Sequence, residues 1–90
     1  MVAKLSWKWD AVKALTGMQP KRAAAIRAKC QEIAADPPPS GRHSNVQPLG
    51  GVRNGFRARL GDWRVSFTVD PETDTMEVFE IAPRGGAYRW

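Results

Sequence analysis

The sequence predicts an α+β fold in which a helical hairpin packs on a small antiparallel sheet. Apolar residues recur at helical spacing in the first part of the chain and at every second position after Gly55. Three consecutive prolines, Pro37 to Pro39, separate these two patterns and end any helix that precedes them. Because the chain has only 90 residues, we expect one domain over residues 1–90 with a single core.

The first part of the chain predicts one short strand and two helices. Residues 4–9 alternate polar and apolar side chains, which is typical of a strand. Asp10 suits the N-cap of a short helix that ends at Gly17, and Pro20 suits the first turn of a second helix. The second helix carries an apolar stripe made of Ala23, Ile26, Cys30, Ile33 and Ala34.

The second part predicts three antiparallel strands after a connecting loop over residues 40–54. The strands cover residues 56–60, 63–69 and 75–82, and Gly61-Asp62 and residues 70–74 form the turns between them. The complete order is therefore β-α-α-β-β-β. We expect the helices to cover the sheet face that carries Phe56, Trp63 and Phe67.

Composition excludes several classes of protein. Hydrophobic residues make up 42% of the chain and charged residues 26%, which is a globular composition with no apolar run long enough for a membrane span. The single Cys30 excludes an internal disulfide, and with His43 alone beside it a Cys/His zinc site is excluded too. We expect a cytoplasmic protein without metal, cofactor or membrane association.

The net charge of +5 is unevenly distributed and predicts a polyanionic or acidic partner. Residues 41–66 contain five arginines and one acidic residue, whereas residues 67–82 contain five acidic residues and no basic one. We interpret the acidic run over residues 70–80 as a solvated turn. Strand alternation directs Arg57 and Arg59 away from the core, and Arg64 follows the tight turn. Arginines bind phosphate oxygens in pairs of hydrogen bonds, so this surface suits single-stranded RNA.

The second half of the sequence resembles the RelE/ParE superfamily of toxins, on the RelE side. The resemblance rests on LGGVRNGFRARLGDWRVSFTVD at residues 49–70 and MEVFEIAPRGGAYRW at residues 76–90. Its most specific part is Gly61-Asp62-Trp63-Arg64, which is similar to the family pattern G-[DS]-[YW]-R. The order of the N-terminal elements also fits, so the resemblance covers essentially the whole chain and implies the RelE-like microbial RNase-type fold.

The resemblance implies the toxin of a type II toxin–antitoxin system and a ribosome-dependent mRNA endoribonuclease. Such a toxin cuts mRNA in the ribosomal A site without a metal, by attack of the RNA 2′-OH on the adjacent phosphate. Its implied partners are a cognate antitoxin, the 70S ribosome and mRNA. The implied catalytic residues are Arg59, Arg64, Arg84 and Tyr88, and the implied RNA-binding residues are Arg57, Arg53 and Arg89.

Each implied position has a role in the family mechanism. By that resemblance, Arg64 would hold the scissile phosphate, Arg84 would assist the leaving 5′ oxygen, and Tyr88 would stack on a base and help to orient the 2′-OH. Arg57 binds the RNA backbone. Arg59 stands where the best-known branch has a lysine that takes the proton, yet an arginine is a poor base at neutral pH. Catalysis at this site therefore depends on electrostatic stabilisation and positioning, or another group takes the proton.

Two other functions stay open at this stage. The ParE branch of the same superfamily inhibits DNA gyrase and is not a nuclease, although Tyr88 and the Arg57/Arg59 pair argue against it. A non-catalytic basic RNA-binding module is the third candidate, and the lack of a good general base supports it. Cys30 on the apolar stripe is interpreted as a core residue rather than a nucleophile, and His43 as a loop residue without a catalytic role.

Overall fold

The computed structural model describes residues 2–83, which form two helices and five strands. These elements are β1 (Lys4–Trp7), α1 (Trp9–Thr16), α2 (Pro20–Ala35), β2 (Val46–Pro48), β3 (Gly55–Leu60), β4 (Trp63–Asp70) and β5 (Thr75–Pro83). The strands lie in the order β1-β5-β4-β3-β2. The predicted α+β fold, with its helical hairpin and three-stranded meander, is confirmed.

The sheet differs from the predicted one in two respects. It is mixed, because β1 runs parallel to β5 while every other neighbouring pair is antiparallel. The predicted loop over residues 40–54 also contains β2, which pairs with β3 at the edge of the sheet. Three residues are too few to show a periodic pattern, and Pro48 is tolerated there because an edge strand leaves one side unpaired. The sequence pattern therefore does not predict this strand.

A bulge in β5 explains why its apolar residues do not alternate regularly. Ser66 faces Glu80, but the next residue, Phe67, faces Val78, so the register shifts by one residue between them. An extra residue on one strand reverses the side to which the following side chains point. Val78 and Ile81 therefore both face the core. Two residues lie between them, so regular alternation would have placed them on opposite faces.

The core lies between the helices and one face of the sheet. Phe67, Val65, Met76 and Val78 are fully buried there, and the ring of Phe67 stacks on Phe56 at 5.9 Å between centroids. The buried positions of α2 belong to the predicted stripe, Ala23, Ile26, Cys30, Ile33 and Ala34. The helices cover the face that carries Phe56, Trp63 and Phe67, as predicted.

The ends of the helices are tied to the sheet by backbone hydrogen bonds. Ala3 donates to the carbonyl of Ala34 at the end of α2 (2.7 Å), and Lys8 before α1 donates to the carbonyl of Val78 (2.8 Å). These bonds fix the helices on one face and leave the other face uncovered by them. Neither helix within residues 2–83 is long and apolar enough to cross a membrane.

Candidate functional site

Three arginines project from the sheet face opposite the helices. Arg57 faces Ser66 across the β3–β4 ladder, and Arg59 faces Arg64. Their neighbours Ala58 and Val65, which also face each other, are fully buried on the core side. Strand alternation therefore separates the two sets of side chains and gathers the arginines on one surface, as the sequence predicted. We call this surface the arginine face.

The turn between β3 and β4 sets the register of this pair. Leu60 pairs with Trp63, so the turn has two residues, and its first residue, Gly61, has φ = 63°. A residue with a side chain adopts this left-handed conformation at a cost, whereas glycine adopts it readily. The turn places Arg59 directly opposite Arg64.

Two like charges directly across a ladder destabilise a sheet, because their side chains begin only about 5 Å apart. A bound anion between the guanidinium groups of Arg59 and Arg64 would remove this repulsion. Arg64 is half-buried whereas Arg59 is exposed, so the field of Arg64 is less screened by water. The pair is therefore suited to a phosphate.

A groove runs beside the arginines at the β2 edge of the sheet. It has a volume of about 420 Å³ and is open to solvent. Asn45 connects the two sides of the groove. Its side-chain amide donates to the backbone carbonyl of Arg59 (3.2 Å), and its backbone carbonyl accepts from the Arg59 N–H (3.0 Å). One side of the groove is lined by Asn45, Gln47, Pro48 and Leu49, and the other side by Arg57 and Arg59.

Gln47 was missed by the sequence analysis because β2 was missed. It faces Arg57 across the β2–β3 ladder, so its side chain belongs to the arginine face. The motif NVQPLG around it has no alternation long enough to indicate a strand. Only pairing with β3 shows that this polar residue stands next to an arginine.

The acidic run corrects a second interpretation. β5 begins at Thr75, as predicted, so only residues 71–74 of the run form the turn. Glu77 and Glu80 lie on β5 and face Thr68 and Ser66. Glu80 is therefore in the row of the arginine face that contains Arg57 and Ser66. Regular alternation from Met76 and Val78 would place Glu80 on the core side, so only the bulge brings it to the arginine face.

The remaining predicted residues lie elsewhere. Arg53 is exposed in the loop before β3, beside a groove lined by Asp70 and Glu72 at the opposite end of the β3–β4 ladder from Arg59. Its role in RNA binding stays a prediction. Arg84, Tyr88 and Arg89 lie outside the described residues 2–83, so their roles also stay predictions.

Cys30 and His43 occupy the positions expected of non-catalytic residues. Cys30 is buried in α2, and burial raises the pKa of its thiol to about 12, so it is not a thiolate at neutral pH. The Nε2 atom of His43 hydrogen-bonds to the carbonyl oxygen of Asp36 (2.8 Å). Among residues 2–83, no group of three or more His, Cys, Asp or Glu residues is arranged to hold a metal ion.

Comparison with solved structures finds this fold in toxin complexes. The archaeal RelE–RelB complex of Pyrococcus horikoshii gives a TM-score of 0.77 at 26% identity over 97% of this chain and 100% of the other. The RelBE2 complex of Mycobacterium tuberculosis gives 0.77 at 20% identity over 93% and 100%. The intact RelBE complex of E. coli gives 0.77 at 18% identity over 98% and 100%.

No protein-family model matches the sequence, and no curated protein matches it. The similarity is thus structural, and it extends over nearly the full length of both chains in each comparison. The resemblance predicted from the glycine-led turn and its arginine agrees with that similarity. This chain has the fold of the RelE toxins.

Proposed function

We propose that this chain is the toxin of a toxin–antitoxin pair and acts as an endoribonuclease on mRNA in the ribosomal A site. The observation that carries the proposal is the pairing of Arg59 with Arg64 on the face left uncovered by the helices. Arg57 lies on the same face, beside an open groove of about 420 Å³. A single RNA strand would lie along this face with one phosphate bound by Arg59 and Arg64.

In this proposal the RNA supplies its own nucleophile. The 2′ oxygen forms a bond to the adjacent phosphorus, the bond from phosphorus to the 5′ oxygen breaks, and a 2′,3′-cyclic phosphate and a 5′-OH remain. Negative charge increases on the phosphoryl oxygens in the transition state, and Arg64 donates hydrogen bonds to them. An arginine is a poor proton acceptor, so Arg59 would stabilise charge and the 2′-OH proton would pass to another group.

The tail residues complete the proposed site. Arg84 would assist the departing 5′ oxygen, and Tyr88 would stack on a base and orient the 2′-OH. Arg57, half-buried in the middle of the face, would bind the backbone. The ribosome would hold the strand in line for attack, which is the contribution that a site without a strong base needs most.

The proposed inhibitor is an acidic antitoxin that covers the arginine face. The three similar structures described above are themselves complexes of RelE-type toxins with their antitoxins. A partner that neutralises Arg59 and Arg64 would compete directly with RNA. We expect a reading frame adjacent to the gene to encode a short acidic protein whose co-expression restores growth.

Mapping of mRNA 5′ ends on ribosomes after induced expression tests the nuclease. We expect cuts at fixed positions within codons, with cyclic phosphate on the upstream fragment. Defects in DNA supercoiling without such cuts would instead identify a gyrase inhibitor. Normal growth after induction, together with RNA binding by the purified chain, would identify a non-catalytic RNA-binding module.

A further inference from the structure

We propose that the groove beside the arginines is a nucleobase subsite in which Gln47 recognises adenine. The inference rests on the proposed function, because it places the base next to an RNA phosphate held by the arginines. It goes further by assigning the groove a ligand and a residue that selects it. Catalysis requires neither Gln47 nor a nucleobase in this groove.

Gln47 lies next to the arginines that would bind the phosphate. Gln47 faces Arg57 across the ladder and lines the same groove as Arg57 and Arg59. A nucleotide whose phosphate contacts these arginines would have its base within reach of the β2 edge. The groove volume of about 420 Å³ lies within the range of small-ligand sites, which is about 300–1,000 Å³.

The two carboxamide residues of the groove differ in their hydrogen-bond partners. The side chain of Asn45 donates to the carbonyl of Arg59 and so holds β2 against β3. Gln47 is exposed, and no hydrogen bond within residues 2–83 engages its carboxamide. One carboxamide therefore has a structural partner, while the other is held on a paired strand with both its donor and its acceptor available.

When a base presents its N7 edge to the groove, the chemistry of the carboxamide selects adenine. A carboxamide offers one donor and one acceptor side by side, which match the N7 acceptor and N6 donor of adenine. Guanine presents two acceptors at the same edge, and pyrimidines have no N7 there. Pro48 and Leu49, which line the groove beside Gln47, provide an apolar surface for the plane of the base.

Binding of short RNAs by the complete chain tests the subsite without requiring catalysis. The probes are 2′-O-methyl hexauridines, which lack the attacking hydroxyl, with one uridine replaced in turn by adenosine, guanosine or cytidine. We expect fluorescence anisotropy to show roughly tenfold tighter binding of the adenosine probe, a moderate value for one bidentate contact. Gln47→Ala should remove this preference and leave the affinity for hexauridine unchanged.

Gln31→Ala is the matched control, because Gln31 is an exposed carboxamide on α2, away from the groove. It should keep the preference for adenosine, and all three proteins should have the same melting temperature. Equal binding of the four probes by the unsubstituted chain, preference for another base, or an adenosine preference that survives Gln47→Ala would overturn the assignment.

The two proposals fail in different ways. Codon-positioned cuts on ribosomes together with equal binding of all probes would refute the subsite alone. Adenosine preference lost in Gln47→Ala, together with no cuts on ribosomes, would refute the nuclease alone and keep the subsite.

Discussion

The two faces of β3 and β4 show how one alternating pattern serves two purposes. On the face beneath the helices, Phe67 is completely buried and stacks on Phe56. On the opposite face, the same two strands carry Arg57, Arg59 and Arg64. Adjacent residues of one strand thus contribute to stability or to ligand binding according to the side they face. Substitutions on the two faces should therefore separate folding from activity.

Truncation on the core face should have the largest effect. Phe67→Ala removes a fully buried ring and leaves a cavity, so we expect a loss of about 3–5 kcal/mol in the free energy of unfolding, measured in urea. Thr68→Ala, one residue further on and half-buried on the opposite face, should cost less than about 1 kcal/mol. Equal losses would mean that the faces are not energetically distinct.

Truncation on the arginine face should remove activity and leave the fold intact. Arg64→Ala should lower ribosomal cleavage by about 100-fold, which is the usual effect of losing one preorganised donor to a transition-state oxyanion. Arg27→Ala removes an exposed arginine from α2 and should cut normally. Cleavage unchanged by Arg64→Ala, in a protein with an unchanged melting temperature, would refute the assignment of Arg64.

The buried thiol on the helix side gives the core a dependence on pH. Burial raises the pKa of Cys30 from its ordinary value of 9.0 to about 12. Its contribution to stability is therefore complete below about pH 9 and decreases as the pH rises towards 12. The decrease has a maximum slope of about 1.4 kcal/mol per pH unit. The free energy of unfolding of Cys30→Ala, measured in urea at each pH, should lack this decrease. The same dependence on pH in both proteins would contradict the prediction.

The turn that joins the two strands affects both faces. Gly61→Ala places a side chain at φ = 63°, where the cost is about 1–2 kcal/mol of stability. A Cβ atom added at Gly61 meets no neighbouring atom within 4 Å, so the cost comes from the backbone conformation and not from a steric clash. We expect cleavage to fall as well, since the turn determines how Arg59 meets Arg64.

Gly50→Ala is the control for the turn, because Gly50 also has open space around it and its φ is not in the left-handed region. It should change the free energy of unfolding by less than about 0.5 kcal/mol. A similar loss in both variants would show that the left-handed conformation of Gly61 is not the cause.

The smallest expected effect concerns the acidic edge of the arginine face. Glu80→Gln removes a negative charge from the row that contains Arg57, so we expect RNA to bind about two- to threefold more tightly at low salt. The difference should disappear at high salt, because exposed charges are screened. Glu32→Gln, on the exposed side of α2, should leave RNA binding unchanged. Weaker binding by Glu80→Gln would show that the carboxylate positions an arginine.

Local patterns were sufficient for most of the fold. The stripe containing Ile26 and Cys30 predicted α2, and alternation after Gly55 predicted β3 and β4 together with the side on which the arginines lie. These features depend on residues close in sequence, whose spacing specifies which face each side chain occupies. The Gly61-Asp62 turn was predicted for the same reason, since a glycine marks the position that needs a left-handed backbone.

The tertiary structure decided the rest of the candidate site. β2 is a strand only because β3 pairs with it, and this pairing places Gln47 beside Arg57. The bulge opposite Ser66 moves Glu80 onto the arginine face. β1 and β5, the first and last of the described strands, pair in parallel although the helices and three other strands separate them in sequence. Pairing between distant segments leaves no periodic signal in a short strand. The sequence by itself therefore determined which face carries the arginines. Strand pairing decided that Arg59 lies opposite Arg64, and it also formed the groove beside them.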